Sequence, residues 1–199
     1  AEFRKGLNYE DGDSRQYIKN YADLGLLGSL FPNMDLDTKL PKQLREMGDK
    51  HAPLAWMLRN QDPKQLEGMM KADWKPEELK KIIFLIKSLK MNPDMDEMGL
   101  EDLIKSYMQS GISGRKLKTW ATKLGGKQDG LIDAFLQHAQ SPRIKTHMGT
   151  GVEETVAPQF ADLVDPFSGQ IQLEQAASRK RTLELENFRR LLRHYLPNG

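Results

Sequence analysis

Apolar residues recur every three to four positions along most of this chain, and a proline or a short polar residue marks where each run begins. In "TKLPKQLREMG" (38–48), Leu40, Leu44 and Met47 fall at i, i+4 and i+7, the spacing that gathers three side chains on one helix face. Asp37 or Thr38 supplies the cap there, Pro41 lies in the first turn and Gly48 ends the run. "PLAWMLRN" (53–60) begins on Pro53 and stacks Leu54, Met57 and Leu58. "DPKQLEGMM" (62–70) repeats the tetrapeptide PKQL, with Asp62 as cap over Pro63 and Leu66, Met69 and Met70 turned inward. The repeat is read as one device used twice: a cap, a proline and an inward leucine. "KPEELKKIIFLIKSLK" (75–90) opens on Pro76 with two acids in its first turn and lysines toward its end, which suits the helix dipole. "MGLEDLIKSYMQSG" (98–111), "SGRKLKTWATKLGG" (113–126) and "KQDGLIDAFLQHA" (127–139) follow, the second capped by Ser113 and stopped by Gly125 and Gly126.

The ends of the chain read differently. Residues 1–20 carry few aliphatic side chains and are expected to be a mobile arm leading into a first helix. "YADLGLLGSLFPNM" (21–34) predicts a short helix ended by Pro32. Residues 141–170, broken by Pro142, Pro158 and Pro166, read as an irregular connection holding one short helix at 153–164. Residues 171–196 form one strong pattern in which Leu185, Phe188, Leu192 and Tyr195 share a stripe with Arg189, Arg190 and Arg193 beside it. No stretch alternates with period two long enough to demand a strand. The expected fold is all-α: a multi-helix bundle of helical hairpins over 21–140, an N-terminal arm over 1–20, a connection over 141–170 and a long amphipathic basic C-terminal helix over 171–196.

Composition narrows the chemistry. The 199 residues include no cysteine, which excludes disulfides, thiolate catalysis and cysteine-ligated zinc. The longest apolar run, "IIFLI" (82–86), is far short of a membrane span, so no membrane partner is expected. His51, His138, His147 and His194 are scattered, and none sits in a zinc-binding spacing. In "DMDEMG" (94–99) the acids match the start of a calcium loop, but Met98 and Lys105 occupy ligand positions, so a solvated turn is expected. "KLGGK" (123–127) lacks the hydroxyl residue of a phosphate loop and reads as a helix end. Ten methionines suit an irregular core. No arrangement of nucleophile and base is written in a recognisable motif, and a non-enzymatic protein without cofactors is expected. The net charge of +2 conceals a basic C-terminal end, so Phe188, Leu192 and Tyr195, flanked by Arg189, Arg190 and Arg193, are the candidate partner-binding residues.

A longer comparison extends the repeat. "WMLRNQDPKQLEGMM" (56–70) and "YMQSGISGRKLKTWA" (107–121) align at an offset of 51 residues, pairing Trp56 with Tyr107, Asp62 with Ser113, Pro63 with Gly114, Leu66 with Leu117 and Met69 with Trp120. An aromatic late in one helix can reach over a short turn onto the first inward leucine of the next and lock the hairpin. The pattern resembles the tryptophan-containing half of the WY modules of oomycete RXLR effectors. Gly111 and Ser113 match the family's turn, whereas Tyr107 replaces its tryptophan and Asn60 its glycine. Neither the RXLR nor the acidic EER motif occurs, as expected if a secretion leader has been removed. The resemblance implies a secreted virulence protein that acts inside the host cell, binds a host protein and suppresses immunity, with no common enzymatic activity. The second reading is a nucleic-acid-binding helical protein of viral nucleocapsid or phosphoprotein type, located in the cytoplasm. It would use Arg179, Lys180 and Arg181 with Arg189, Arg190 and Arg193, although Glu174, Glu184 and Glu186 dilute that field.

Overall fold

The computed structural model of the chain describes residues 2–9, 12–141 and 166–197, with side chains from residue 174 onward in the last stretch. Its elements are α1 (Glu2–Leu7), α2 (Ser14–Asp23), α3 (Leu27–Leu30), a 3₁₀ helix (Lys42–Met47), α4 (Ala52–Met57), α5 (Pro63–Met70), α6 (Pro76–Ser88), α7 (Glu97–Ser110), α8 (Gly114–Lys118) running into a π-helix (Thr119–Leu124), α9 (Asp129–Ala139) and α10 (Pro166–Tyr195). Among the described residues there is no strand, and the protein is an all-α helical bundle with a long C-terminal helix. The chain forms two compact units, Ala1–Met91 with Ser106–Gln128 and Asn92–Lys105 with Asp129–Gly199. These units cut across the segments read from the sequence. The short helix expected at 153–164 lies outside the described residues.

The first unit is organised on α6. Pro76 starts the helix, and the Glu78 carboxylate accepts the Lys75 N–H at 3.0 Å, closing the free end of the first turn. Ile82 to Ile86 are all buried, as befits a helix covered on more than one side. Helices α4 and α5 both pack on it. At its C-terminus the Leu89 N–H bonds to the Ile86 carbonyl. The Leu85 carbonyl accepts the Ser88 hydroxyl at 2.7 Å and the indole N–H of Trp120 at 2.8 Å. Trp120 is thereby fixed inside the core, edge-on to Trp56 with ring centroids 5.6 Å apart.

Helix signals read from the sequence act where expected on α5 and α8. The Asp62 carboxylate accepts the Lys64 N–H at 2.8 Å and the Ser113 hydroxyl accepts the Lys116 N–H at 3.2 Å. The first PKQL copy differs. Leu40 stands where Asp62 stands in the second copy, so Pro41 remains extended without a side-chain cap, and the segment winds as a 3₁₀ helix. Its Leu40, Leu44 and Met47 are nevertheless buried, and Gly48 at φ 57° terminates it in the left-handed region. Met69, expected inward, is 52% exposed because Leu66 and Met70 take the inner face of α5.

The N-terminal segment also departs from expectation. In place of a mobile arm, α1 buries Phe3 and Leu7, and Phe3 packs against Tyr17, Tyr21, Phe31 and Trp74. The following helix begins earlier than the apolar pattern suggests, at Ser14, because the Asp13 carboxylate accepts the N–H groups of Arg15 and Gln16.

In the second unit α10 lies along α9. Leu185, Phe188 and Leu192 are buried from one side, and Ile132, Phe135, His138 and Ala139 from the other. Close approach is built in at Gly130, where a Cβ would stand 2.6 Å from the Tyr195 carbonyl oxygen. Arg181 pairs with Glu101 at 2.8 Å, which ties α10 to the N-terminal part of α7. The acids once compared with a calcium loop have a structural use, because the Asp96 carboxylate accepts the Gly99 N–H at 2.7 Å and caps α7.

Candidate functional site

The C-terminal stripe divides by position. Phe188 is completely buried and Leu192 nearly so, and both hold α10 on α9 instead of facing outward. Tyr195 is 37% exposed, and Arg189, Arg190 and Arg193 are all exposed. The exposed side of this stretch of the helix is therefore a basic edge carrying Tyr195. Arg190 is partly committed, since its guanidinium donates to the Asn187 side-chain oxygen at 2.6 Å. Farther up the helix, Lys180 faces Glu184 at 3.7 Å and Arg181 is held by Glu101, which thins the basic field there.

Asn187 connects this edge to a buried histidine. Because Arg190 engages its oxygen, Asn187 turns its amide nitrogen to His138 Nδ1 at 3.0 Å. His138 Nδ1 is thus the acceptor, the ring proton resides on Nε2, and Nε2 is buried without a hydrogen-bond partner. Burial pushes the His138 pKa down to about 4, so the ring is neutral near pH 7.

A second group of titratable residues, dispersed in sequence, meets in the first unit. Asp49, just after the 3₁₀ helix, is buried, and one of its oxygens accepts the backbone N–H of His51 at 2.9 Å. The other lies 3.1 Å from the Lys81 ammonium and 3.7 Å from that of Lys116. Burial pushes the Asp49 carboxyl up, but the His51 N–H and Lys81 outweigh it and hold the group below the usual carboxylate range. Glu78 is bound by Arg4 at 2.7 Å and by the Asn8 amide at 2.6 Å, and its pKa is likewise lowered against the effect of burial. His51 sits between these acids, with Nε2 3.5 Å from Glu78 and Nδ1 3.8 Å from Asp49. Burial depresses its pKa against the pull of both carboxylates.

This cluster borders a cavity of about 760 Å³. His51 sits in no zinc-binding spacing in the sequence, and no local motif joins residues 4, 49, 51, 78 and 81. Among the described residues no three acidic or histidine side chains converge as a metal site requires. No protein family, curated protein or solved structure matches the chain.

Proposed function

We propose that this chain is a non-enzymatic protein–protein interaction module, a secreted pathogen effector that binds a host protein and suppresses immunity. The observation that carries the reading is that the two motif copies share a buried leucine and a side-chain-capped helix start, although Trp120 is buried where its counterpart Met69 is exposed. Trp56 meets Trp120 at 5.6 Å, Leu66 and Leu117 are both buried, and Asp62 and Ser113 cap the helices that follow the aromatics. Tyr107 packs on Phe84 at 5.4 Å, an aromatic contact in the position of the family's tryptophan. Such a core leaves loops and exposed helix edges for recognition, and on this chain Arg189, Arg193 and Tyr195 are suitable contacts. Production of the chain inside leaf cells, followed by measurement of an elicitor-triggered oxidative burst, tests the reading. A reduced burst is expected, and an unchanged burst counts against the effector role.

The same exposed arginines favour a second reading, nucleic-acid binding. An oligonucleotide titration at several salt concentrations separates the two. Steep loss of affinity with salt would favour nucleic acid, and no binding at low salt would remove that reading.

A further inference from the structure

The run "SRKRTL" (178–183) on α10 joins a basic tract to a hydroxyl. Arg179 and Lys180 stand three and two residues before Thr182, and the apolar Leu183 follows it. Protein kinases select substrates by charge pattern, and those with an acidic peptide groove take a hydroxyl with bases at these positions and an apolar side chain after it. The side chains are where such an enzyme can reach them. Arg179, Thr182 and Leu183 are all exposed, Leu183 by 49%.

A kinase takes its substrate segment extended, so this part of the helix must open. None of the side chains at 174–184 is buried, and Leu185 is the first buried one after them. Polar ties hold the stretch: Arg181 meets Glu101 of α7 at 2.8 Å, and Lys180 faces Glu184 at 3.7 Å within the helix. The Thr182 hydroxyl lies 3.2 Å from a Glu97 carboxylate oxygen and 3.1 Å from the Ser178 carbonyl, and its one proton serves both acceptors. Segments held by exposed polar contacts open locally at small cost. Opening also frees Lys180, whose pairing with Glu184 depends on helical spacing.

We propose that Thr182 is a phosphorylation site for a base-directed protein kinase, and that its phosphate releases residues 174–184 of α10 from α7. In the step Thr182 Oγ1 attacks the γ-phosphorus of ATP, the bond from that phosphorus to the bridging oxygen of ADP breaks, and the hydroxyl proton passes to the kinase's catalytic base. The product carries about −1.5 to −2 charges at pH 7 where a neutral hydroxyl met Glu97, with Glu101 one turn farther along α7. The like charges repel, and Thr182 lies within the helix, away from an N-terminus whose dipole would offset them. The site lies in the second unit and uses none of Arg189, Arg193 and Tyr195, so it stands apart from the proposed partner-binding edge.

The test incubates the full chain with ATP and the catalytic subunit of cyclic-AMP-dependent protein kinase, and maps phosphate by peptide mass spectrometry. Near-stoichiometric incorporation at Thr182 is expected. Thr182→Val should abolish it, and Arg179→Ala should slow it about tenfold, the loss of one charge-assisted contact. Both side chains are exposed, so both variants should keep the wild-type helical content. In the phosphorylated chain, backbone hydrogen exchange over residues 174–184 should quicken about tenfold, with α9 unchanged. No phosphate at Thr182, incorporation indifferent to Arg179→Ala, or exchange unaltered by the modification would each overturn the proposal.

Discussion

His138 is read as an ordinary surface or rim histidine when only its neighbours in sequence are considered, and the structure gives it a different standing. Asn187 and Arg190 arrive from α10, some fifty residues away, and fix which ring nitrogen carries the proton. Protonation would have to occur at Nδ1, against the Asn187 amide that donates to it. With a folded pKa of about 4 and an unfolded value near 6.5, the folded state binds fewer protons than the unfolded one. Its contribution to stability is complete above about pH 6.5 and is lost as pH falls toward 4, to an extent of up to about 3 kcal/mol. Denaturant unfolding of the second unit followed between pH 7 and pH 4 should show this loss, and His138→Gln should flatten the slope. A slope unchanged by the substitution would place the acid sensitivity elsewhere. The Asp49–His51–Glu78 cluster was illegible for a related reason, because its members come from segments whose meeting depends on how α1, α4 and α6 pack.

At the scale of elements, local chemistry was legible wherever a side chain acts on its own backbone. Asp62, Ser113, Pro76 and Gly48 perform the roles their types and positions suggest. Where a tertiary contact decides the conformation, the reading failed. α1 is a six-residue helix held by aromatic packing around Phe3, and such a short helix has little stability by itself. The turn of π-helix follows from Trp120, whose indole is anchored on the Leu85 carbonyl while the Gly125 N–H reaches back to the Trp120 carbonyl at 2.9 Å. The duplicate PKQL shows the boundary between the two cases. One residue before the proline, aspartate against leucine, separates a capped α-helix from an uncapped 3₁₀ turn. Asp62→Ala and Ser113→Ala should each destabilise the first unit by about 1 kcal/mol in chemical denaturation, while Thr38→Ala should change it by only a few tenths. A Thr38→Ala cost equal to the other two would mean that the first copy is capped in solution.

For the whole molecule, the all-α class was legible from periodicity alone, whereas the division into two units was not, because it depends on contacts between distant segments. The clearest consequence concerns Phe188 and Leu192. The stripe read as a partner surface is instead the seam between α9 and α10. Replacing both by Asp should bury two unpaired carboxylates and unfold the second unit, with loss of helical circular dichroism. Retention of a wild-type spectrum and unfolding midpoint would show that the seam opens freely. On the proposed reading, recognition falls to the exposed edge of Arg189, Arg193 and Tyr195, which can be altered without touching the core.

The most direct measurement is affinity capture from nuclease-treated plant-cell extract, with the intact chain and an Arg189→Glu, Arg193→Glu, Tyr195→Ala variant compared by quantitative mass spectrometry. A discrete host protein retained by the first and lost from the second, at equal helicity, is the predicted result. Recovery of the same proteins with both chains, or disappearance of all binding after nuclease treatment, would contradict it.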